Sequence, residues 1–208
     1  MPVTACPPGL VLAEHEFVLP LRHCDPSGPK ITVFAREVAT PEGRERPFLV
    51  FLQGGPGMEA PRPTARPWSP GWLERALKDF RVLMLDQRGT GRSTPVGTLE
   101  GTSPAEQAAY LSCFRADSIV EDAEAIRQEM GVERWSVLGQ SFGGFCVLRY
   151  MSAAPGGLAE AFLTGGLPPV GRHPDEVYRA TYASVLGRCR QYYDRYSADR
   201  QRVAALQA

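Results

Sequence analysis

The sequence predicts an α/β protein with a mostly parallel sheet and helices on both faces. Three observations carry that expectation. From residue 48 onward, short apolar runs alternate with helical patterns. The first of these runs is apolar at successive positions, as a strand buried on both faces is. Three of the runs end in glycine-rich loops, which parallel strands would deliver to one edge of the sheet.

Each element follows from its residues. Glu16–Leu21 and Ile31–Val38 are β-type runs separated by Asp25, Pro26, Ser27, Gly28 and Pro29, an antiparallel hairpin. Phe48–Leu52 reads as a buried central strand. Met58–Pro70 is Pro-rich and extended, and Trp72–Lys78 gives a short helix. Val82–Leu85 is the next strand. Ser103, Pro104 and Glu106 form a helix start, with a capping serine, proline at the first turn and Glu three residues past the cap. A second helix runs from Asp117 to Met130, with Ile119, Ala123, Ile126 and Met130 on one face and Gly131 as its stop. Trp135–Leu138 is a strand, and a helical pattern follows from Phe142 to Ala154. Ala161–Leu163 is one more strand, and Pro174–Tyr196 is a helix.

Composition narrows the function classes. Lys plus Arg equals Asp plus Glu at 23 each, so no nucleic acid or anionic membrane is expected as partner. No apolar run is long enough to span a bilayer. Residues 1–12 lack a basic n-region and an apolar h-region, which sets the expectation of a cytoplasmic protein. Five cysteines without CxxC spacing read as reduced thiols, neither a disulfide frame nor a metal site.

The chemistry lies in the loops. Gly139-Gln140-Ser141-Phe142-Gly143 is a G-x-S-x-G sequence between a strand and a helix. That spacing suits a nucleophilic serine on a tight turn, with glycines where strand and helix approach. Gln53-Gly54-Gly55-Pro56-Gly57 follows the first central strand, where backbone amides could complete an oxyanion hole. The expected donors are the amide of Phe142 and that of Gly54 or Gly55. In the third loop, Asp86 to Ser93, the expected role of Asp86 and Arg88 is to tie the loop together.

These three loops, in this order, resemble the proline iminopeptidase (prolyl aminopeptidase) family of α/β-hydrolase serine peptidases. The resemblance extends from about Phe17 to Tyr182 and includes Leu163-Thr164-Gly165-Gly166-Leu167-Pro168-Pro169. Gln53 stands where that family usually has histidine, and Phe142 where Trp often follows the nucleophile. The resemblance implies that residues 1–170 are the N-terminal part of an α/β-hydrolase core, truncated before its last strands, that 171–208 start a helical cap most of which is missing, and that N-terminal proline is released from peptides through an acyl-enzyme on Ser141. No metal cluster or nucleotide-binding loop is legible in the sequence, so neither a metal nor a cofactor is expected.

The rest of a triad is not legible. In this fold the orienting carboxylate and the base histidine follow the serine, yet only His173 follows Ser141. His15 and His23 fall on the hairpin and read as surface residues. The resulting expectation is that residues 1–208 are an N-terminal portion, inactive and marginally stable alone, whose Asp and His come from a missing C-terminal segment or a complementing chain. An esterase or lactonase on the same scaffold, or a non-catalytic truncated product, remain alternatives. A dehalogenase or epoxide hydrolase would place Asp at the elbow.

Overall fold

The structure is a computed structural model and describes residues 7–64 and 70–206. Cys6, and the part of the Pro-rich stretch at 65–69, lie outside the described residues. The chain divides into two units, Met1–Leu167 and Pro168–Ala208.

The first unit is built on a six-stranded sheet in the order β1-β2-β4-β3-β5-β6. β1 (Val11–Pro20) and β2 (Lys30–Ala39) form the antiparallel hairpin. Both strands are longer than the sequence suggests, because pairing runs unbroken from Val11↔Ala39 to Pro20↔Lys30. β2 pairs antiparallel with β4 (Arg81–Leu85), and every later pairing is parallel: β3 (Phe48–Leu52) with β4 and with β5 (Trp135–Gln140), then β5 with β6 (Leu158–Thr164). β3 lies between two parallel neighbours and all five of its residues are buried, which explains its unbroken apolar run.

The connections alternate in direction across the sheet. From β3 the chain steps through α1 (Leu73–Ala76) to β4, then returns past β3 through α2 (Pro104–Leu111) and α3 (Ala116–Glu129) to β5. With crossovers of one hand, that reversal sends helices to opposite faces. Accordingly, Leu73 and Leu77 join Leu49, Phe51, Val82 and Met84 in one apolar cluster. Ile119, Ala123 and Ile126 of α3 join Cys146, Val147 and Tyr150 of α4 (Phe142–Ala153) against Val50, Leu52 and Val137 in the other. Alternation along β3 thus feeds both cores.

Local signals account for the helix ends. Ser103 accepts from the Glu106 amide while the Glu106 carboxylate accepts from Ser103, a complete capping box. Gly131 has φ +66° just past α3, the left-handed turn that glycine adopts without penalty.

In the second unit, His173 caps α5 (Pro174–Arg195), its Nδ1 accepting from the Asp175 amide at 3.3 Å. A further helix, α6 (Asp199–Leu206), follows, which the sequence pattern does not announce. Tyr192 Oη donates to Asp199 Oδ2 at 2.7 Å and joins the two helices.

Candidate active site

Because β3, β4 and β5 are parallel, their three glycine-rich loops emerge at one sheet edge. β3 sends its helix to one face while its neighbours send theirs to the other, and ligands in open α/β sheets bind in the crevice at such a reversal.

Ser141 stands between β5 and α4 with φ +52° and ψ −116°. A non-glycine residue at positive φ is strained, by about 1–3 kcal/mol, and persists only where its surroundings hold it. Here the backbone is held from both sides. The Ser141 amide donates to the Thr164 carbonyl at 3.1 Å, and its carbonyl accepts from the Gly144 amide at 2.9 Å. Glycine is required next to it: a Cβ on Gly143 would run into the Leu52 carbonyl at the end of β3. Ser141 is exposed, and its Oγ has no hydrogen-bond partner among the described residues.

The loop after β3 closes on this corner. A Cβ on Gly54 would lie 2.9 Å from the Ser141 Cβ and 3.6 Å from its Oγ, so the Gly54 backbone abuts the serine. The Gly54 amide is taken by the Oε1 of its neighbour Gln53 at 2.9 Å. The Gly55 amide has no partner among the described residues. Phe142, as the first residue of α4, has no carbonyl one turn earlier in the helix to accept its amide. Gly139, near the end of β5, packs against the Gly143 carbonyl and Val147.

The loop after β4 is tied off internally. Asp86 Oδ1 accepts from the Ala60 amide and Oδ2 from the Arg92 amide, each at 3.0 Å. Burial holds the Asp86 carboxyl above its ordinary range, against those two amides. Ser93 Oγ donates to the Asp86 carbonyl and accepts from the Phe34 amide at 2.7 Å. The Arg88 side chain, fully buried, donates its Nε to Asp122 Oδ2 at 2.6 Å and other N–H groups to the carbonyls of Leu21, Cys113 and Pro20.

The histidines are already engaged. His23 Nε2 lies 2.8 Å from Asp122 Oδ1 and 3.1 Å from Arg88, and His15 Nε2 lies 3.2 Å from Glu37. The expectation that both are surface residues is corrected: each is partly buried in an ion-pair network, because β1 and the chain beyond it pack against charged partners distant in sequence. Among the described residues no group of three or more His, Cys, Asp or Glu side chains is placed to hold a metal. No described helix is long and apolar enough to cross a membrane.

Residues 47–202 match the family model described as alpha/beta hydrolase fold. The chain is 50% identical to a proline iminopeptidase of Aeromonas sobria over 194 residues, covering 90% of this chain and 45% of that one. It is 37% identical to a proline iminopeptidase of Aspergillus aculeatus over 206 residues, covering 93% and 45%. Among solved structures it is similar to a proline iminopeptidase-related protein from Thermus thermophilus at TM-score 0.46 and 26% identity, over 73% of this chain and 44% of that one. The chain therefore spans about half the length of the curated relatives it matches.

Proposed function

The chain belongs to the α/β-hydrolase fold family, and from that premise we propose that it carries the nucleophile of a serine peptidase that releases N-terminal proline from peptides. The observation that carries the proposal is the exposed Ser141 at φ +52°, with the Gly54 backbone against its Cβ. The substrate class rests on the two curated proline iminopeptidases described above.

In this reading Ser141 Oγ attacks the carbonyl carbon of the proline residue and its proton passes to a base. The carbonyl oxygen becomes an oxyanion facing the amide of Phe142 and that of Gly54 or Gly55, at the positive end of α4. The C–N bond then breaks, the base returns the proton to the leaving amine, and water hydrolyses the prolyl ester. Gly139 and Gly143 hold the turn that aims Oγ. The base and its carboxylate are proposed to come from other polypeptide, a further segment or a complementing chain, since His15, His23 and His173 each have a structural partner. The protein is proposed to work in the cytoplasm, on peptides and without a cofactor.

The test is hydrolysis of proline β-naphthylamide by the native polypeptide and by residues 1–208 alone. We expect turnover by the first, loss of it in Ser141→Ala, and none by the second. Turnover that survives Ser141→Ala would remove the nucleophile assignment. Hydrolysis of p-nitrophenyl acetate without any release of proline would favour an esterase instead.

A further inference from the structure

We propose that the hollow beside the elbow is a subsite for the free carboxylate of a short leaving peptide, held by Arg115 and Arg149; this rests on the peptidase reading of Ser141. A cavity of about 530 Å³ is lined by Pro56, Phe114, Arg115, Phe142, Phe145 and Arg149, together with Ala116 and Asp117. Two of these residues anchor it to the chemistry. Pro56 follows Gly55 in the loop after β3, and Phe142 follows Ser141. A neighbouring hollow of about 300 Å³ shares Pro56, Phe114 and Phe142 in its lining.

The cationic groups here differ from the six arginines of the sheet unit that meet a carboxylate among the described residues. Arg36, Arg75, Arg81, Arg88, Arg92 and Arg127 are each paired with a carboxylate. The side chains of Arg115, just before α3, and Arg149, on α4, have no hydrogen bond, ion pair or ring contact among the described residues, and both residues are exposed. They stand on two different elements that wall one cavity. The only carboxylate in the lining is Asp117, whose Oδ1 accepts from the Ser118 amide at 3.1 Å, so the hollow keeps a net positive charge.

Its floor is aromatic. Phe142 and Phe145 lie with ring centroids 6.1 Å apart, and Phe114 faces the same space. An apolar floor with unpaired guanidiniums at the rim fits an amphipathic anion, and guanidinium pairs with carboxylate through two parallel hydrogen bonds. A peptide cut after its first residue leaves the side chain of its second residue and, if it is short, a terminal carboxylate near the nucleophile; an apolar second residue would suit the aromatic lining. Each added residue carries that carboxylate up to about 3.5 Å further away. The subsite therefore selects short free-acid peptides with an apolar residue after proline.

The test uses the native polypeptide carrying Ser141→Ala, so that substrates bind without turnover. Pro-Phe and Pro-Phe amide are titrated calorimetrically into this protein and into forms that also carry Arg115→Gln with Arg149→Gln, or Arg44→Gln. Arg44→Gln removes an unpaired charge elsewhere on the surface. We expect the free acid to bind roughly tenfold tighter than the amide, since a charged hydrogen-bonded pair is worth on the order of one factor of ten or more. That preference should vanish in the double variant and persist in Arg44→Gln. Equal binding of acid and amide, or a preference that survives the double variant, overturns the subsite. Selective binding by a protein that never releases proline supports the subsite and removes only the peptidase reading. Hydrolysis of proline β-naphthylamide without acid preference removes only the subsite.

Discussion

Two serine-bearing loops leave the same sheet edge and meet opposite fates. Ser93 closes the loop after β4, is fully buried, and has its hydroxyl engaged as donor and as acceptor. Ser141 opens the helix after β5, is exposed, and has a hydroxyl without a partner among the described residues. Around Ser93, the carboxylate of Asp86, the hydroxyl of Thr90 and the guanidinium of Arg88 all bond to groups of the protein itself. Around Ser141, the backbone is tied down, but its Oγ and the nearby Gly55 amide are left without a partner among the described residues. Polar groups that satisfy one another hold a loop in shape; those left unsatisfied on a rigid backbone are available to a substrate.

The sharpest way to break this contrast is to exchange the serines' fates by mutation. On the proposed reading, Ser141→Ala should abolish proline release by the native polypeptide, a loss of about 10⁶-fold if the serine acts as in a triad, with the melting temperature little changed. Steady-state kinetics alongside thermal unfolding would show it. Loss of Asp122 should do the reverse. Asp122→Ala leaves Arg88 buried and uncompensated, which costs about 3–5 kcal/mol, and urea unfolding should register that amount. Ser93→Ala removes one partner from a buried amide and a buried carbonyl, with a cost of about 1–3 kcal/mol by the same measurement.

A smaller effect should come from Glu124. The hydrogen bond from Arg127 holds its carboxyl below the ordinary value of 4.5, against burial and with help from Tyr150. A depressed carboxyl gives stability that is present above its unfolded value and lost as pH falls through its folded one. Glu124→Gln should therefore flatten the fall in stability below about pH 4.5, seen in acid unfolding followed by circular dichroism. Least visible is Cys146, on the elbow helix, where burial pushes the thiol up to about 12. Iodoacetamide at about pH 8 should label the exposed Cys24 and Cys189 and spare Cys146, as peptide mapping would reveal.

Local chemistry was legible in the sequence. The bounds of β3, the Ser103–Glu106 capping box and the turn at Gly131 each depend on a few adjacent residues. What was not legible depends on partners far along the chain. His23 meets Asp122 across 99 positions, and no periodicity announces such a pair. β6 runs from Leu158 to Thr164 instead of the three apolar residues 161–163. Its length is set by parallel pairing with β5, and its outward residues include Glu160. α6 carries Asp, Arg and Gln with little apolar stripe to mark it. The serine's place between strand and helix could be read from G-x-S-x-G, whereas the unpaired state of Arg115 and Arg149 could not, because it is a fact about every other side chain.

The carboxamide of Gln53 on the Gly54 amide has a consequence for any affinity measured at that corner. Its oxygen is a tethered competitor, present at a fixed effective concentration and never diluted away. A substrate oxygen reaching for the Gly54 amide would bind only as well as it outcompetes that internal stand-in, so its apparent affinity is scaled down by the fraction of time the amide is uncovered. Shortening Gln53 would raise that fraction for every ligand of the Gly54 amide alike and leave ligands of the Phe142 amide alone where they are.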